Sequence, residues 1–314
     1  NSTEISQKQY KTILFNLLKN NPPRIFHIHD MELLPVAAKL KKKHPQVKII
    51  YDVHEDLEAM WNTFSSYNGI VKWTINYMLT QYEKKFLTYV DYFILANRLA
   101  RTKKYSSHAN VEIIENFPIL EASNREISKE QPRKLIYHGQ LGEDRGILTL
   151  INAFNILSEK NDNLELILIG NARTKKINEI LRQKVATNKK IKLVNQVPHQ
   201  QIWEYLNDAH IGIIPFHAET IFEYNNPTKL FEYMIADCAI VASELQPIKE
   251  FCNKSISWAK PGDVDSLVDA INYYFDNHNQ YVNHKKNNQR IIQNEYNWGN
   301  ASQKLLYIYS EMLN

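Results

Sequence analysis

The segment from Asn226 to Met234 has the residue types of an anion-binding helix start. Pro227 suits the first turn of a helix, because its φ is fixed and it has no N–H to leave unpaired. The N–H groups of Thr228 and Lys229 would be free donors at the positive end of the helix dipole, which favours a phosphate. Glu232 follows one turn later, where its carboxylate could reach the paired hydroxyls of a ribose. Taken alone, the pattern favours a well-capped core helix over a binding site.

A second candidate phosphate site is the turn Gly139-Gln140-Leu141-Gly142-Glu143-Asp144-Arg145-Gly146. A glycine-rich turn after a strand lets the backbone approach a phosphate closely, and Arg145 could neutralise its charge. The spacing is not G-x-G-x-x-G, so the dinucleotide fingerprint is absent. By itself the turn is compatible with any tight strand-to-helix connection.

Histidine and acidic residues cluster at the ends of two predicted strands, as His27-Ile28-His29-Asp30 and as Asp52-Val53-His54-Glu55. Imidazole and carboxylate are common metal ligands, so a metal site is one interpretation of these tetrads. The plainer alternative is that the histidines satisfy backbone groups at the strand ends.

The apolar pattern predicts two blocks of alternating strands and helices that would position these residues. The predicted strands are Ile25–His29, Val47–Tyr51, Tyr92–Ala96 and Val111–Ile114, then Lys134–His138, Leu164–Ile169, Ile191–Val194, Ile211–Ile214 and Ala239–Ala242. The predicted helices are Met31–Lys43, Val71–Tyr89, Ile147–Lys160, Thr174–Ala186, Gln200–Leu206 and Thr228–Ala236. This alternation indicates parallel βαβ units, whose ligands bind outside the carboxyl ends of the strands. Each motif lies at such an end.

Composition excludes several classes of protein. With 44% hydrophobic and 23% charged residues, the chain resembles an ordinary globular protein. The net charge of +4 comes from dispersed lysine clusters, so no nucleic-acid partner is expected. Cys238 and Cys252 provide neither metal-binding spacing nor a disulfide framework, which favours a reducing compartment. No apolar run reaches the about 18 residues that span a bilayer, and no signal segment is present, so the predicted location is the cytoplasm.

Together, the two phosphate motifs resemble the donor-binding elements of the retaining GT-B glycosyltransferases of family 4, the group 1 type. The segments Leu168–Asn171 and Val194–Ala209 resemble the glycine-rich turn and the base-contacting turn of that family. Ser243–Glu250, Pro261–Asp263 and Tyr296–Tyr309 resemble its C-terminal tail. The resemblance covers nearly all of residues 134 to 314.

The resemblance implies an α/β GT-B fold with two Rossmann-like parallel-sheet domains facing each other across a cleft. The acceptor-side domain with its linker would span residues 1–130, and the donor-binding domain residues 131–295. Residues 296–314 would form a helix that crosses back to the first domain. The strand Ile25–His29 resembles the family's fourth strand, so we expect the first three strands of the family to be missing here. Such a sheet would have an exposed edge strand.

The resemblance also implies roles for individual residues. The catalytic residues would be His29, Arg145, Lys229 and Glu232. The donor-binding residues would be Gly139, Gln140, Gly170, Asn171, Val197, Pro227, Thr228, Lys229, Leu230 and Glu232. Asp30, His54 and Glu55 would shape the acceptor side. Because the family carries similar His/acid tetrads without using a metal, we expect no metal and no cofactor.

Four positions depart from the family's pattern. The first residue of its paired-glutamate signature falls on Tyr224, eight residues before Glu232. The arginine that commonly follows the first loop glycine is Gln140, which leaves one diphosphate contact in question. Asp237 and Ala239 stand where glycine and proline are usual, and we expect this to affect only the turn.

The function implied is transfer of a sugar from a UDP- or GDP-linked donor to an acceptor, with retention at the anomeric carbon. The acceptor would be a cell-surface glycan, a polysaccharide precursor, a lipid-linked glycan or a glycoprotein. Two alternatives stay open: a non-catalytic GT-B-like subunit that binds a partner protein, and a nucleotide-sugar 2-epimerase-like enzyme. A homo-oligomer also stays open.

The predicted helix Val71–Tyr89 combines aromatic and basic residues. These are Trp73, Tyr77, Lys84, Lys85 and Phe86. A helix of this kind can lie on an anionic membrane, which would place the protein at the inner face of the membrane. Packing of its apolar face in the core is the favoured interpretation.

Overall fold

The computed structural model describes residues 6–54, 61, 65, 67–96, 105, 108, 110–120, 133–218, 227–252 and 254–314. These residues form two compact units. The first unit comprises Asn1–Asn116 and Ala301–Asn314, and the second comprises Phe117–Asn300. Glu55 and Tyr224, both singled out in the sequence, lie outside the described residues.

The first unit contains a parallel four-stranded sheet in the order β1-β2-β3-β4. The strands are β1 (Ile25–Ile28), β2 (Lys48–Val53), β3 (Tyr92–Leu95) and β4 (Val111–Ile113). Preceding or joining them are the helices α1 (Gln7–Leu18), α2 (Leu34–Lys43) and α3 (Gly69–Leu87), with a 3₁₀ turn at Met31–Leu33. All four strands predicted for this block are confirmed. Within the described sheet, β1 is an edge strand, as expected.

The central strand β2 shows why the sequence pattern identified this sheet. Its residues from Ile49 to Val53 are buried on both faces, because parallel strands are covered by crossover helices. Ile25 pairs with Lys48, and Ile50 pairs with Tyr92, which fixes the register of three strands. The core of the unit is built from Ile28, Leu34, Ala37, Leu40, Val47, Ile49, Tyr51, Val53, Leu87, Phe93, Leu95 and Tyr105.

The helix α3 corrects one expectation, since most of its apolar residues do not pack in the core. Its buried residues are Glu83 and Leu87, both in the C-terminal third. Trp73 and Tyr77 are exposed, and their rings stack on each other with centroids 5.8 Å apart. The residues that join the core belong to the last turns, where Phe86 packs against it. Only the end of this helix therefore follows the predicted pattern.

The second unit contains a parallel six-stranded sheet in the order β10-β9-β8-β5-β6-β7. Its strands are β5 (Lys134–His138), β6 (Glu165–Ile169), β7 (Ile191–Val194), β8 (Ile211–Ile214), β9 (Ala239–Ser243) and β10 (Ser257–Ala259). Its helices are α4 (Ile147–Lys160), α5 (Lys175–Thr187), α6 (His199–Asp208), α7 (Thr228–Ile235), α8 (Gln246–Cys252), α9 (Val264–Asp276) and α10 (His278–Asn294). The predicted strands and helices of this block are confirmed to within two residues at their ends.

The strand order of the second sheet is that of a doubly wound fold. From β5 the chain proceeds through β6 to β7 on one side, and from β8 through β9 to β10 on the other. The order reverses between β5 and β8, which pair directly at Leu135 and Ile211. In open parallel sheets, a crevice for ligands lies at the carboxyl ends of the two strands at this reversal.

The final helix, α11 (Trp298–Leu313), passes from the second unit to the first. In the second unit, the N–H of Trp298 donates to the carbonyl oxygen of Pro118 at 2.8 Å. In the first, Lys304 lies 2.7 Å from Glu112, and the guanidinium of Arg24 donates to the carbonyl of Leu313. Among the described residues, no helix combines the length and the apolar composition needed to cross a bilayer.

Asp237 has a larger role than the turn-only effect expected from the sequence. Its backbone is left-handed, with φ of 55°, a conformation that Asp and Asn adopt more readily than most residues. Its carboxylate lies 2.9 Å from Nζ of Lys285, and both side chains are buried. The turn after α7 is therefore tied to α10 by a buried ion pair.

Replacing Lys285 by Met should destabilise the protein by about 3 to 5 kcal/mol, because the buried Asp237 carboxylate would lose its cationic partner. Lys286→Met is the matched control, since Lys286 is exposed on the same helix and should change stability by less than about 0.5 kcal/mol. Urea unfolding monitored by circular dichroism gives both values. Equal stabilities of the two variants would contradict the structural role of the pair.

Candidate functional site

The site in the second unit begins where the loops after β5 and β6 approach each other. Gly170 has φ of 144°, and a β-carbon there would lie 1.9 Å from the carbonyl oxygen of Gly139, so only glycine fits. The N–H of Leu141 donates to the carbonyl of Asn171 at 3.0 Å, and the N–H of Arg173 donates back to Leu141 at 2.9 Å. These contacts form one backbone rim beside the end of β5.

The helix α7 brings the predicted cation and carboxylate to this rim, and its own packing determines where they lie. The ring of Phe231 packs edge-on against Phe251 and Phe117, with centroids 5.0 and 5.1 Å away. The hydroxyl of Tyr233 donates to the carbonyl of Ile136 in β5 at 3.3 Å. Gly212 in β8 makes room for that ring, since a β-carbon there would lie 2.3 Å from it. Pro227 is the N-cap, one residue earlier than the first-turn position expected.

Lys229 lies in the first turn of α7 and is buried. Its Nζ is 4.7 Å from the ring centroid of Phe216 and 5.1 Å from that of Tyr137. Burial, reinforced by the positive charge of Arg145, lowers the pKa of Lys229 to about 7. The ammonium is thus held in a desolvated position where an added negative charge would be strongly favourable.

Arg145 is the second cation of this edge. Its guanidinium lies over the ring of Phe216, 4.9 Å from the centroid, and its Nε is 3.6 Å from Asp144. Burial lowers the pKa of Arg145 from its ordinary value, although the guanidinium stays charged at neutral pH. Phe216 therefore separates and orients two cations, Lys229 and Arg145.

Glu232 lies one turn after Lys229, with its carboxylate between two histidines. One oxygen is 2.8 Å from Nε2 of His199, and the other is 3.3 Å from Nε2 of His138. Burial, together with the charges of Lys229 and His199, lowers the pKa of His138 to about 3, so its imidazole is neutral. The side chain of His199 is 71% exposed, so solvent or a ligand can reach this partner of Glu232.

A cavity of about 450 Å³ opens beside the rim. Its lining contains five of the predicted donor-binding residues: Gly139, Gln140, Gly170, Asn171 and Val197. The remaining lining residues are His138, Ile169, Ala172, Arg173, Gln196, His199 and Ile202. A volume of this size falls in the range of small-molecule sites.

The other predicted donor-binding residues lie in α7 or at its start. Thr228 is exposed at the first helical position. Leu230 is fully buried and its N–H donates to the carbonyl of Pro227, so the structure places it in the core rather than at the cavity. Two lining residues of the cavity, His138 and His199, contact Glu232 of α7, and Gly139 lies beside Lys229, since a β-carbon there would be 3.6 Å from its Nζ.

The sequence analysis did not identify Arg173. This residue contacts Gln140, one of the positions that differ from the family's pattern. Its Nε and Nη2 donate to Oε1 of Gln140 at 3.1 and 2.7 Å, and its Nη1 lies 3.0 Å from Asp144. A guanidinium therefore lines the cavity although residue 140 is not an arginine. The position of Arg173, three residues after Gly170 at a strand end, was the available signal.

In the first unit, the two His/acid tetrads converge on Asp52. Its Oδ2 lies 3.0 Å from Nε2 of His54, 3.2 Å from Nδ1 of His29 and 3.6 Å from Nε2 of His27. The other nitrogen of His27 is 2.7 Å from the hydroxyl of Tyr309. Asp52 was noted in the sequence only as part of a tetrad, yet it joins three histidines.

Protonation in this cluster follows from burial and from the shared carboxylate. Burial opposes ionisation of Asp52, but hydrogen bonds from His27 and His54 prevail, so its pKa lies below the ordinary value. Burial lowers the pKa of His29 more than Asp52 raises it. With Nδ1 turned toward Asp52, the opposite edge of the His29 ring is available on a side chain that is 56% exposed.

The structure also shows what else this cluster could hold. Ligand atoms of His27, His29 and Asp52 lie within 4.8 Å of one another, which is compatible with a metal ion. Asp30 is exposed at the start of the 3₁₀ turn, where its side chain makes no capping hydrogen bond. Because Asp30 directly follows His29, it is adjacent to the cluster in sequence.

Solved structures with this fold define its class. Sucrose-phosphate synthase from Thermosynechococcus elongatus has a TM-score of 0.75 at 15% identity, covering 98% of this chain and 78% of that protein. HepE from Anabaena, solved with UDP, has a TM-score of 0.73 at 14% identity, covering 96% and 82%. At these identities the likeness establishes the fold, which is the GT-B fold of glycosyltransferases.

The sequence profile of the family Glycosyl transferases group 1 matches residues 119–298, more than half of the chain. The protein belongs to this family. A curated relative, the lipopolysaccharide 1,2-N-acetylglucosaminetransferase of Salmonella typhimurium, is 26% identical over 186 residues. That match covers 56% of this chain and 47% of the relative, so the chain spans about half the length of the protein it matches.

Replacing Asp52 by Asn should lower the pKa of His29 further, because the carboxylate that favours its protonated form is removed. Titration of the histidine ring resonances by NMR measures the shift. His44 serves as internal reference, since its ring bonds to the carbonyl of Lys19 instead.

An unchanged His29 titration in the Asp52→Asn variant would mean that the cluster does not act as one unit. Because we expect no metal, adding Zn²⁺ to the wild type should leave the resonances of His27 and His29 in place. Their displacement by stoichiometric zinc would support the metal interpretation instead.

Proposed function

We propose that this protein transfers a sugar from a nucleoside diphosphate sugar to an acceptor. The observation that carries the proposal is the buried ammonium of Lys229 with the half-buried guanidinium of Arg145, at the strand-order reversal beside a cavity. A buried positive charge is costly unless an anion faces it. The diphosphate of a nucleotide sugar provides that anion, and the cavity provides room for the nucleoside.

The carboxylate of Glu232 would accept hydrogen bonds from the two ribose hydroxyl groups. In this structure its oxygens face His199 and His138, and the exposed His199 is the partner that a ribose would displace. UDP is the first nucleotide to test, because HepE and TarM, which share the fold, were solved with UDP. GDP is the second.

The chemical step in this proposal is departure of the diphosphate, and the protein supplies fixed positive charge where negative charge develops. Lys229, Arg145 and the N–H groups at the start of α7 are already oriented, so little reorganisation is needed as the bond breaks. Removing one such donor typically costs about 3 to 4 kcal/mol of activation free energy. Arg173, held by Gln140, adds a third cation beside the rim.

Finer assignments belong to the same proposal. They are family 4 membership, retention of anomeric configuration, metal independence and the roles of His29, Asp30 and His54, and they rest on the motif resemblance. A glycan acceptor of a polysaccharide pathway is supported by the relative that acts on lipopolysaccharide. Cys238 and Cys252 are buried and form no disulfide within the described part of the chain, which is compatible with the proposed cytoplasmic location.

The proposal is tested by thermal-shift binding of UDP, GDP, ADP and their common sugars. One nucleotide at about 100 times its Kd should raise the melting temperature by several degrees. Glu232→Ala should weaken its binding about 10- to 100-fold, because two hydroxyls lose a charged acceptor. Glu204→Ala is the control, since Glu204 is exposed on α6 and should leave the shift unchanged.

No shift with any nucleotide in a folded wild-type protein would count against a donor site and favour the non-catalytic alternative. A shift equally strong in the Glu232→Ala variant would show that the nucleotide binds elsewhere.

Diphosphate binding should take up protons between about pH 7 and 9, because Lys229 has a pKa of about 7 in the free protein and a bound anion raises it. The affinity should therefore fall as the pH rises through this window, by up to about tenfold per pH unit. Calorimetry in two buffers of different ionisation enthalpy counts the protons.

Lys229→Arg should abolish this pH dependence, whatever its effect on affinity, because the guanidinium stays charged across the window. Proton uptake that persists in the arginine variant would assign the titration to another group.

A further inference from the structure

The outer face of α3 carries an exposed apolar stripe. Ile70 is 79% exposed and Trp73 is 68% exposed, and Tyr77 and Met78 are each more than half exposed. These residues follow one another at positions i, i+3, i+7 and i+8, so they lie along one side of the helix. We call these four residues the α3 stripe.

Large exposed apolar side chains in such a row are uncommon on a monomer and mark a binding surface. The helix is nonetheless well formed, since Asn68 caps it by accepting a hydrogen bond from the N–H of Val71 at 3.1 Å. Its inward side is anchored by Leu87 and by Glu83, whose carboxylate accepts hydrogen bonds from Tyr51 and Tyr105. The stripe is therefore the outward face of an ordered element.

The helices that form a layer with α3 are basic. α1 packs against α2, and α2 packs against α3. Across these three helices the sequence contains a single acidic residue, Glu83, which is buried. The exposed lysines of the three helices are Lys8, Lys39, Lys42, Lys43, Lys84 and Lys85. Among the described residues, two acidic side chains act on this layer from outside it: Asp91 pairs with Lys41 of α2 at 2.8 Å, and Glu32 raises the pKa of Tyr82 after burial does.

We propose that this layer of α1, α2 and α3 binds the surface of an anionic lipid membrane, with the α3 stripe inserted at the level of the headgroups. Tryptophan and tyrosine favour that depth because one side of the ring is apolar and the other is polar. Ile70 and Met78 gain from contact with acyl chains. The lysines are attracted to the negative surface potential and keep their charges in the aqueous layer.

The residue types favour lipid over the other anionic or apolar partners. The three helices contain no arginine, whereas nucleic-acid and protein interfaces use arginine preferentially and protein interfaces are depleted in lysine. A lipid headgroup surface attracts any cation, so lysine suffices. The inference does not depend on the donor site, because none of these residues contributes to it.

The test is co-sedimentation of the 314-residue protein with vesicles of phosphatidylcholine, with and without phosphatidylglycerol. Binding should require phosphatidylglycerol and should weaken at high salt. The variant Trp73→Ser with Tyr77→Ser should bind at least about tenfold more weakly. The variant Lys84→Gln with Lys85→Gln should lose about fivefold for each lysine.

The matched control is Leu306→Ser with Tyr307→Ser, which removes two equally exposed apolar residues from α11 and should not change binding. All three double variants alter exposed side chains, and unchanged thermal unfolding confirms that each is folded. Nucleotide thermal shifts should be the same in all of them.

Three results would overturn the proposal. The first is no binding to anionic vesicles at low salt. The second is a dimer in light scattering that the Trp73→Ser, Tyr77→Ser variant dissociates, which would assign the stripe to a second copy. The third is binding to a DNA duplex as tight as to vesicles and indifferent to Trp73.

Discussion

The burial of Lys229 between two aromatic rings is the constraint on which the second unit depends. An ammonium without bulk water around it is unfavourable, and the lowered pKa expresses that cost. The surrounding elements hold it there all the same: Phe231 and Tyr233 anchor α7, and Phe216 separates Lys229 from Arg145. The packing of these aromatic rings therefore fixes the positions of both cations. The unfavourable electrostatics of this site become favourable only when an anion is added.

Sheet topology explains why this charge lies where it does. The reversal between β5 and β8 opens a crevice into which the loop after β5 and the start of α7 both project. Gly170 allows the loop after β6 to touch Gly139, and Gly212 lets the Tyr233 ring lie against β8. With only eight glycines in the chain, several are used for close approaches around one site. The family match over residues 119–298 spans the same elements.

Local patterns predicted nine of the ten described strands, all but β10, and most of the described helices, because apolar runs are short-range signals. The cavity residues Asn171 and Val197 came from the family resemblance instead. Local patterns could not predict contacts between distant segments, such as Arg173 with Gln140 or His199 with Glu232. They also misjudged α3, since its apolar residues recur with helical spacing whether they face the core or solvent. Asp237 shows the same limit, because its turn conformation was readable but its buried partner, Lys285, is 48 residues away in the sequence.

Both units carry polar side chains at the carboxyl ends of parallel strands, but the chemistry of these side chains differs. In the second, desolvated cations lie at the strand ends, an arrangement suited to a leaving group that gains negative charge. In the first, the buried carboxylate of Asp52 lies close to three histidines. It partly offsets the lowering of the His29 pKa that burial causes. A neutral imidazole can bind a hydroxyl group through a hydrogen bond, whereas a diphosphate needs positive charge close to it. In the proposed reaction, this division would assign the charged diphosphate to the second unit and a hydroxyl group of the acceptor to the first.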